Sequence, residues 1–242
     1  MIKGIYTSAS GMMPKIRKQE VTSHNLANAS TPGFKKERIF AQELTRAERK
    51  TIPTKTDWET PMVNDVFTDF SQGIFDKTGN PLDFAIDGDG FFQLQLDDGS
   101  SVITRSGNFI VNQDGLISFP GGALLIGEGG PIEVGNGKVT VGSTGEVQSD
   151  GSTVGRILPV TVNDLTELDK IGGSFYKVPE QVETIPVQNA TIQQGYLETS
   201  NVDIVSEMIE MIISFREYEA NAKSIQAQDA SLGNLFDRVG GR

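Results

Sequence analysis

Residues 200–242 carry apolar residues at helical spacing, and this pattern predicts the longest element of the protein. From Ile204 onward the apolar or near-apolar positions follow alternating steps of four and three residues, a pattern typical of a helix lying along another helix. The positions are Ile204, Met208, Met211, Phe215, Tyr218, Ala222, Ile225, Leu232, Phe236 and Val239. A helix over 203–238 would be roughly 54 Å long, so it needs a long partner. Asp229 interrupts the stripe, and we interpret it as a candidate polar residue that sets the register.

The start of the chain, residues 4–29, repeats this spacing and predicts a second helix. Its apolar members are Ile5, Ala9, Met12, Ile16 and Leu26. Pro14 either kinks this helix or moves its start to about Met13, because a proline ring clashes with the preceding turn. The Thr-Pro-Gly segment at 31–33 ends it. The two helices could pair with each other or with neighbouring chains, and the sequence leaves both open.

Residues 80–180 have a different pattern, in which short β-branched and aromatic runs alternate with glycine-rich turns. Turn signals every 6–10 residues are typical of an antiparallel sheet, a sandwich or a small barrel. The predicted strands cover 91–96, 101–105, 109–112, 139–141 and 157–162, with a further strand near 63–70.

The fold class predicted is therefore α+β, with long N- and C-terminal helices forming a coiled-coil core. This helical domain comprises residues 1–34 and 200–242. Extended arms at 35–79 and 181–199 join it to the β-rich domain at 80–180. Because the helices lie far apart in sequence, closing the loop between them is costly, and we expect them to become ordered on assembly.

The charge is unevenly distributed along the chain. Residues 1–50 hold ten Lys and Arg against four Glu, a net charge of +6, which leaves −17 for the rest of a chain whose net charge is −11. An acidic body argues against nucleic acid as a partner. The basic first segment fits an acidic surface of its own chain or of another subunit.

Little in the composition supports catalysis or metal binding. The 242 residues include no Cys and a single His, His24, too few for a nucleophilic centre or a transition-metal site. Asp87 and Asp89 could in principle cleave glycosides as a carboxylate pair, although they also fit a plain β-turn. We therefore predict a protein that is not an enzyme, with no catalytic, cofactor-binding or metal-binding residues. The sequence has no run of 18 apolar residues and no signal-peptide pattern, so we expect no transmembrane segment.

Three segments resemble the signatures of bacterial flagellar rod and hook proteins. The first comprises residues 10–12 and 24–35, the second 81–83, 86–92 and 104–109, and the third 195–203 and 216–221. They span nearly the whole chain in the order that the family shows. Within the family, the short chain, the absence of a Gly-rich stretch at 50–70 and the segments at 126–132 and 225–229 favour a proximal rod subunit. A distal rod or hook-type subunit is the alternative.

The resemblance implies a structural subunit that polymerises through its terminal helices into the axial tube of the basal body. That tube transmits torque and conducts exported subunits. Implied partners are other copies of the chain, other rod subunits and the flagellar type III export apparatus, and no cofactor is implied. The implied location is the periplasm-spanning rod, reached without a cleaved signal peptide.

The residues expected to form the assembly interface come from both helices and from the turn after the first one. They are Ile5, Met12, Ile16, Asn25, Leu26, Asn28, Gly33, Phe34, Ile204, Met208, Met211, Phe215, Tyr218, Ile225 and Leu232. Two hypotheses of other classes stay open on the sequence alone. One is a cell-wall glycan hydrolase that uses Asp87 or Asp89, and the other is a binding module whose helices pair only with each other.

Overall fold

The computed structural model of the protein describes residues 2–42, 62–179, 181–187 and 189–240. The chain divides into two compact units. The first, the helical unit, contains residues 1–27, 37–69 and 202–242. The second, the β unit, contains residues 28–36 and 70–201.

The described part of the helical unit comprises two helices and a two-stranded sheet. Helix α1 is Ile2–Ala27 and helix α2 is Ile204–Gly240. Strands β1 (Glu37–Gln42) and β2 (Met62–Thr68) pair in antiparallel fashion. Residues 43–61 of the predicted first arm lie outside the described residues.

Both helices follow their local sequence signals closely. Helix α1 continues through Pro14 and does not begin at Met13. The side chain of Asp203 caps α2, because it accepts hydrogen bonds from the Val205 backbone N–H at 3.0 Å and from the Ser206 hydroxyl at 2.7 Å. Such caps satisfy N–H groups that have no partner within the helix.

The β unit is built from seventeen strands whose described pairings are all antiparallel. The strands are β3 (Phe75–Lys77), β4 (Phe84–Asp87), β5 (Phe92–Gln95), β6 (Ser101–Thr104), β7 (Ile110–Val111), β8 (Ile117–Ser118), β9 (Leu124–Gly127), β10 (Gly130–Pro131), β11 (Val139–Val141), β12 (Glu146–Ser149), β13 (Ser152–Arg156), β14 (Val160–Thr161), β15 (Asp169–Gly172), β16 (Phe175–Lys177), β17 (Ile185–Pro186), β18 (Thr191–Gln194) and β19 (Tyr196–Glu198). A short 3-10 helix, Leu165–Glu167, precedes β15.

The largest sheet has the strand order β15-β16-β6-β5-β9-β8-β7, with β10 added to β9. Strands β11, β12 and β13 form a second sheet, and the remaining strands pair as β14–β17, β18–β4 and β19–β3. The last two pairings matter for the chain path, because they attach the segment before α2 to the strands at the start of the β unit.

The hydrophobic core lies within the β unit. Phe84, Phe92 and Phe109 are buried together, and the rings of Phe92 and Phe109 meet edge to face with centroids 5.2 Å apart. Alternate residues of β5 point into this core, as expected for strands with one covered face. A second cluster surrounds Tyr176 and Phe91.

The predicted fold class is wrong. The described chain is mostly β between two helices of unequal length, 26 and 37 residues, and these helices do not form a coiled-coil core. Val21 is the one buried hydrophobic residue in the described parts of the helices, whereas their other buried residues are polar: Thr22, Asn25, Glu207 and Ser214. An apolar core was expected because the apolar stripe was assumed to be buried within the chain. No helix in the described ranges is both long and apolar enough to cross a membrane.

Candidate assembly surfaces and the chain junction

The apolar residues predicted to pack along α2 are largely accessible to solvent. Ile204, Met208 and Phe215 are 46%, 50% and 52% exposed. The other predicted members are half-buried: Met211, Tyr218, Ile225 and Leu232. In α1, Ile16 is exposed, while Ile5, Met12 and Leu26 are half-buried.

A series of polar pairs joins α1 to α2. The hydroxyl groups of Ser8 and Ser224 are 3.3 Å apart. Lys15 forms an ion pair with Glu217 at 2.7 Å. Farther along α1, Lys18 forms an ion pair with Glu210. The helices therefore run antiparallel, with successive polar pairs along their contact.

Two glycines of α1 lie where amide side chains of α2 approach. A Cβ atom added to Gly4 would lie 2.4 Å from Oε1 of Gln228, and one added to Gly11 would lie 3.5 Å from Nδ2 of Asn221. The missing side chains leave room for these amides. Small residues of α1 thus face longer polar residues of α2.

Asn25 closes this contact at the end of α1. Its amide donates to Glu207 at 3.2 Å and to the backbone carbonyl of Glu37 at 2.8 Å. Its oxygen accepts the Glu37 N–H at 2.9 Å. Buried polar groups stabilise a structure when their hydrogen bonds are made, so Asn25 fixes the helix end against both β1 and α2.

An exposed apolar surface, which we name the outer patch, lies on the side of α2 away from this contact. Val205 and Ile212 each stand two residues before a buried polar residue, Glu207 and Ser214, which places them about 200° around the helix from those residues. The members of the outer patch are Ile204, Val205, Met208, Ile209, Ile212, Ile213 and Phe215, all exposed.

The outer face of α2 becomes charged directly after Phe215. Arg216 and Lys223 both form ion pairs with Glu219, at 3.5 and 2.9 Å. The hydrogen bond from Lys223 and its positive charge, with a smaller effect from Arg216, lower the pKa of Glu219. The outer patch is therefore confined to the first three turns of the helix.

In the β unit, the segment after α1 turns at Gly33. This residue has φ of +67°, and an added Cβ would lie 2.3 Å from the backbone nitrogen of Ser106. The Gly33 N–H donates to the Glu198 carbonyl at 2.8 Å. The turn is closed by Asn28, whose backbone carbonyl accepts the Thr31 N–H at 3.0 Å. A glycine is required here by both the backbone conformation and the close approach.

A buried ion cluster, which we name the Glu198 cluster, joins three distant segments of the β unit. The Glu198 carboxylate binds Lys35 at 2.6 Å and Arg105 at 2.5 Å. It also accepts the Gly73 N–H at 2.8 Å. Lys35 donates to the carbonyl of Ser71. Arg105 donates to the backbone carbonyl of Ile86 in β4 and to those of Gly88 and Gly90 in the turn that follows.

The cluster was not anticipated from the sequence. The signal available was that Lys35, Arg105 and Glu198 each stand in one of the three signature segments.

Phe34 was predicted to lie in the assembly interface. It is fully buried within the β unit, and the Lys170 ammonium lies 4.0 Å from the centre of its ring.

The acidic turn considered for glycan cleavage is exposed. Asp87 ends β4 and accepts a hydrogen bond from Gln193 at 3.3 Å, and Asp89 is exposed. Among the described residues, no group of three or more His, Cys, Asp or Glu side chains is arranged to hold a metal ion.

Three flagellar family models match the chain in order. Residues 5–35 match the flagella basal body rod protein model, residues 85–149 match the D1 domain of the flagellar hook protein FlgE/F/G, and residues 193–237 match the C-terminal model of flagellar basal body rod FlgEFG proteins. The first and third matches contain the polar contact between the helices and two residues of the Glu198 cluster, Lys35 and Glu198.

Full-length relatives agree with these models. The flagellar basal-body rod protein FlgF of Caulobacter vibrioides is 34% identical over 243 residues, which cover 99% of each chain. FlgG of Bacillus subtilis is 32% identical over 98% of this chain and 99% of its own. FlgF of Escherichia coli is 32% identical over 96% of both.

The chain belongs to the family of flagellar basal-body rod proteins. It is a structural component of the flagellar rod, and the prediction that it is not an enzyme is confirmed by this membership. The glycan-hydrolase hypothesis gains no support from these matches.

Proposed function

We propose that this rod subunit assembles by packing the outer patch of α2 against the helices of neighbouring subunits. The neighbours are other copies of the chain and other rod subunits. Predicted interface residues outside the patch that are exposed or half-buried, such as Met12 and Ile16 of α1 and Tyr218 and Ile225 of α2, extend this surface. Such packing would build the axial tube that transmits torque and conducts exported subunits.

The observation that carries the proposal is the exposure of seven large apolar residues over three helical turns. Full burial of one such side chain contributes roughly 1.5–3 kcal/mol, so covering the patch would stabilise an assembly substantially. Contiguous exposed apolar surface on a soluble chain marks an interaction site. An ordinary solvated helix face would instead resemble the charged stretch after Phe215.

The polymer requires a heterologous contact, in which the outer patch meets a different surface of its neighbour. Contacts of this kind repeat without closing when the rotation between subunits does not complete a ring, and they generate helical filaments. The exposed Met13 and Ile16 of α1 are a second apolar surface on the same unit. Met13 and Ile16 are therefore suitable residues for the surface that the outer patch of a neighbouring subunit would contact.

We place the subunit in the periplasm-spanning proximal rod, exported by the flagellar apparatus. The segments at 126–132 and 225–229 support the proximal position. A distal rod or hook-type position is the alternative. Basal bodies that contain a tagged chain, imaged at subunit resolution, would distinguish these positions.

The outer patch is tested by Phe215→Asp, with Ala220→Asp as the matched control. Both positions are exposed on α2, and both variants add one carboxylate, but Ala220 lies beyond the patch. Because a buried, unpaired carboxylate is costly, we expect incorporation of the Phe215 variant into rods to fall at least about tenfold. Rod content is measured from purified basal bodies, and circular dichroism checks that the β unit is folded.

The control variant should enter rods at close to the level of the unmodified protein. Normal rods built from the Phe215→Asp protein would contradict the proposal. Equal loss with both variants would show that α2 rejects any added charge, and the outer patch would then have no special role.

A further inference from the structure

We infer that α1 of one copy of the chain packs antiparallel on α2 of a neighbouring copy, through two short apolar strips of equal length. The α1 strip comprises Ala9, Met13 and Ile16. The α2 strip is the part of the outer patch that comprises Val205, Ile209 and Ile212. This inference rests on the proposed function, and it names the partner helix, its surface and its direction.

Both strips are open to solvent within the chain. In the α1 strip, Met13 is 67% exposed, and Ala9 and Ile16 are exposed as well. The members of the α2 strip are 66%, 52% and 61% exposed, in the order Val205, Ile209 and Ile212. Exposed apolar surface of this kind is stabilised when a partner covers it.

Each strip lies on a side of its helix that faces away from the polar pairs between α1 and α2. Met13 stands two residues before Lys15, which forms an ion pair with Glu217. Ile209 stands two residues after Glu207, which accepts a hydrogen bond from Asn25. Two residues correspond to about 200° around a helix. The pairing of the two helices within one chain therefore leaves both strips accessible to another copy.

The two strips match in spacing and in length. Each has steps of four and three residues and covers roughly 10 Å of helix. Four residues after the last member, each strip ends at a charged residue that forms an ion pair on its own helix. In α1 this residue is Glu20, paired with Arg17 at 2.8 Å, and in α2 it is Arg216, paired with Glu219 at 3.5 Å. Because burying a charge is costly, each strip allows an apolar contact of the same short length.

The outer patch is wider than one partner helix covers. Ile204 and Ile213 stand nine residues apart, which separates them by about 180° around α2. A coiled-coil seam is narrower than the stripe of about 100° with which a helix faces a core. One helix on the α2 strip therefore leaves Ile204, Met208 and Phe215 for a further contact with a neighbouring subunit.

The direction of the contact follows from the symmetry of a filament. Heterologous contacts that repeat without closing keep every copy pointing the same way along the filament. Because α1 and α2 run antiparallel within one chain, α1 of one copy also runs antiparallel to α2 of the next. Ile16 then lies opposite Val205, Ala9 lies opposite Ile212, and the two middle residues of the strips meet between them.

The absence of cysteine from the chain allows this contact to be tested by disulfides between copies of the full-length protein. Two single-cysteine proteins with tags of different size are co-expressed in cells that build rods, and the isolated basal bodies are oxidised. Since each protein carries one cysteine, a disulfide can join only two different copies. The test pairs are Ile16→Cys with Val205→Cys and Ala9→Cys with Ile212→Cys.

The matched control is Ile16→Cys with Ile212→Cys. It uses one cysteine from each test pair, but antiparallel packing keeps these positions about 10 Å apart along the helices. A disulfide requires Cα atoms within about 7 Å. Both test pairs should therefore give at least about ten times the crosslink yield of the control pair on a non-reducing gel.

A control yield equal to or above that of the test pairs would overturn the inference. So would rods that contain both proteins of each test pair without either crosslink. Disulfides between two Ile209→Cys copies would also overturn it, because α2 of the neighbour would then occupy the α2 strip. The proposed function is judged separately by Phe215→Asp: if that variant is excluded from rods while the test crosslinks are absent, the outer patch still mediates assembly and only α1 is rejected as its partner.

Discussion

At the scale of single residues, the sequence identified the turn but not the charges around it. Thr-Pro-Gly at 31–33 predicts a chain reversal, and Gly33 makes one with a positive φ. The partnership of Lys35, Arg105 and Glu198 was not predictable, because it depends on three segments that meet only in the folded β unit. A charged residue in a sequence is most often solvated, and only the fold shows that these three are buried.

Glu198→Gln should destabilise the β unit strongly. The change leaves Lys35 and Arg105 buried close together without the carboxylate that separates them, and breaking a buried ion pair costs about 3–5 kcal/mol. Glu183→Gln is the control, since Glu183 is exposed on the same return segment and should change stability by less than about 0.5 kcal/mol. Chemical denaturation followed by fluorescence or circular dichroism measures the stability of both variants. Equal denaturation midpoints for the Glu198→Gln and Glu183→Gln proteins would contradict the stabilising role of the Glu198 cluster.

At the scale of elements, the bounds of both helices were predicted closely from the sequence. The predicted helices at 4–29 and 203–238 correspond to α1 and α2, Ile2–Ala27 and Ile204–Gly240. In both helices the polar residues that form the described contacts stand one position before the apolar positions, for example Ser8 before Ala9 and Ser224 before Ile225. The sequence left open whether the apolar positions face the partner helix of the same chain or neighbouring chains. In the structure the polar pairs lie about 100° around each helix from those positions.

Pro14→Ala should strengthen α1. The proline lies in the helix interior, where it removes one backbone hydrogen bond and crowds the preceding turn, at a cost of about 3 kcal/mol relative to alanine. Hydrogen exchange of α1 amides should therefore slow in this variant. Met13→Ala is the control, because Met13 is 67% exposed and its truncation adds no backbone hydrogen bond. Unchanged or faster exchange in the Pro14 variant would show that the proline costs this helix nothing.

At the scale of the whole molecule, the order of helix, β region and helix was readable from the change in hydrophobic period. In the structure, strands β1 and β2 belong to the same unit as the helices, and the return segment contains β17, β18 and β19. The return strands pair with distant partners, as β18 does with β4. Pairing between strands so far apart in sequence leaves no local sequence pattern. For this reason the return segment was predicted only as an extended arm.

The β unit should fold without either helix, and a pair of fragments tests which residues it needs. The fragment 28–201 retains both hydrophobic clusters and all three members of the Glu198 cluster. The shorter fragment 37–201 loses Lys35 and the fully buried Phe34. Removing the Phe34 ring alone forgoes about 1.5–3 kcal/mol, and the absence of Lys35 leaves Glu198 with one cation.

We therefore expect the fragment 28–201 to unfold cooperatively in denaturant and the fragment 37–201 to unfold at a markedly lower concentration. Neither fragment should enter rods, since both lack the outer patch. A non-cooperative transition for the longer fragment would show that the helices are needed to fold the β unit. Equal denaturation midpoints of the two fragments would instead show that residues 28–36 do not stabilise the β unit. These residues would then serve only to connect α1 to the strands.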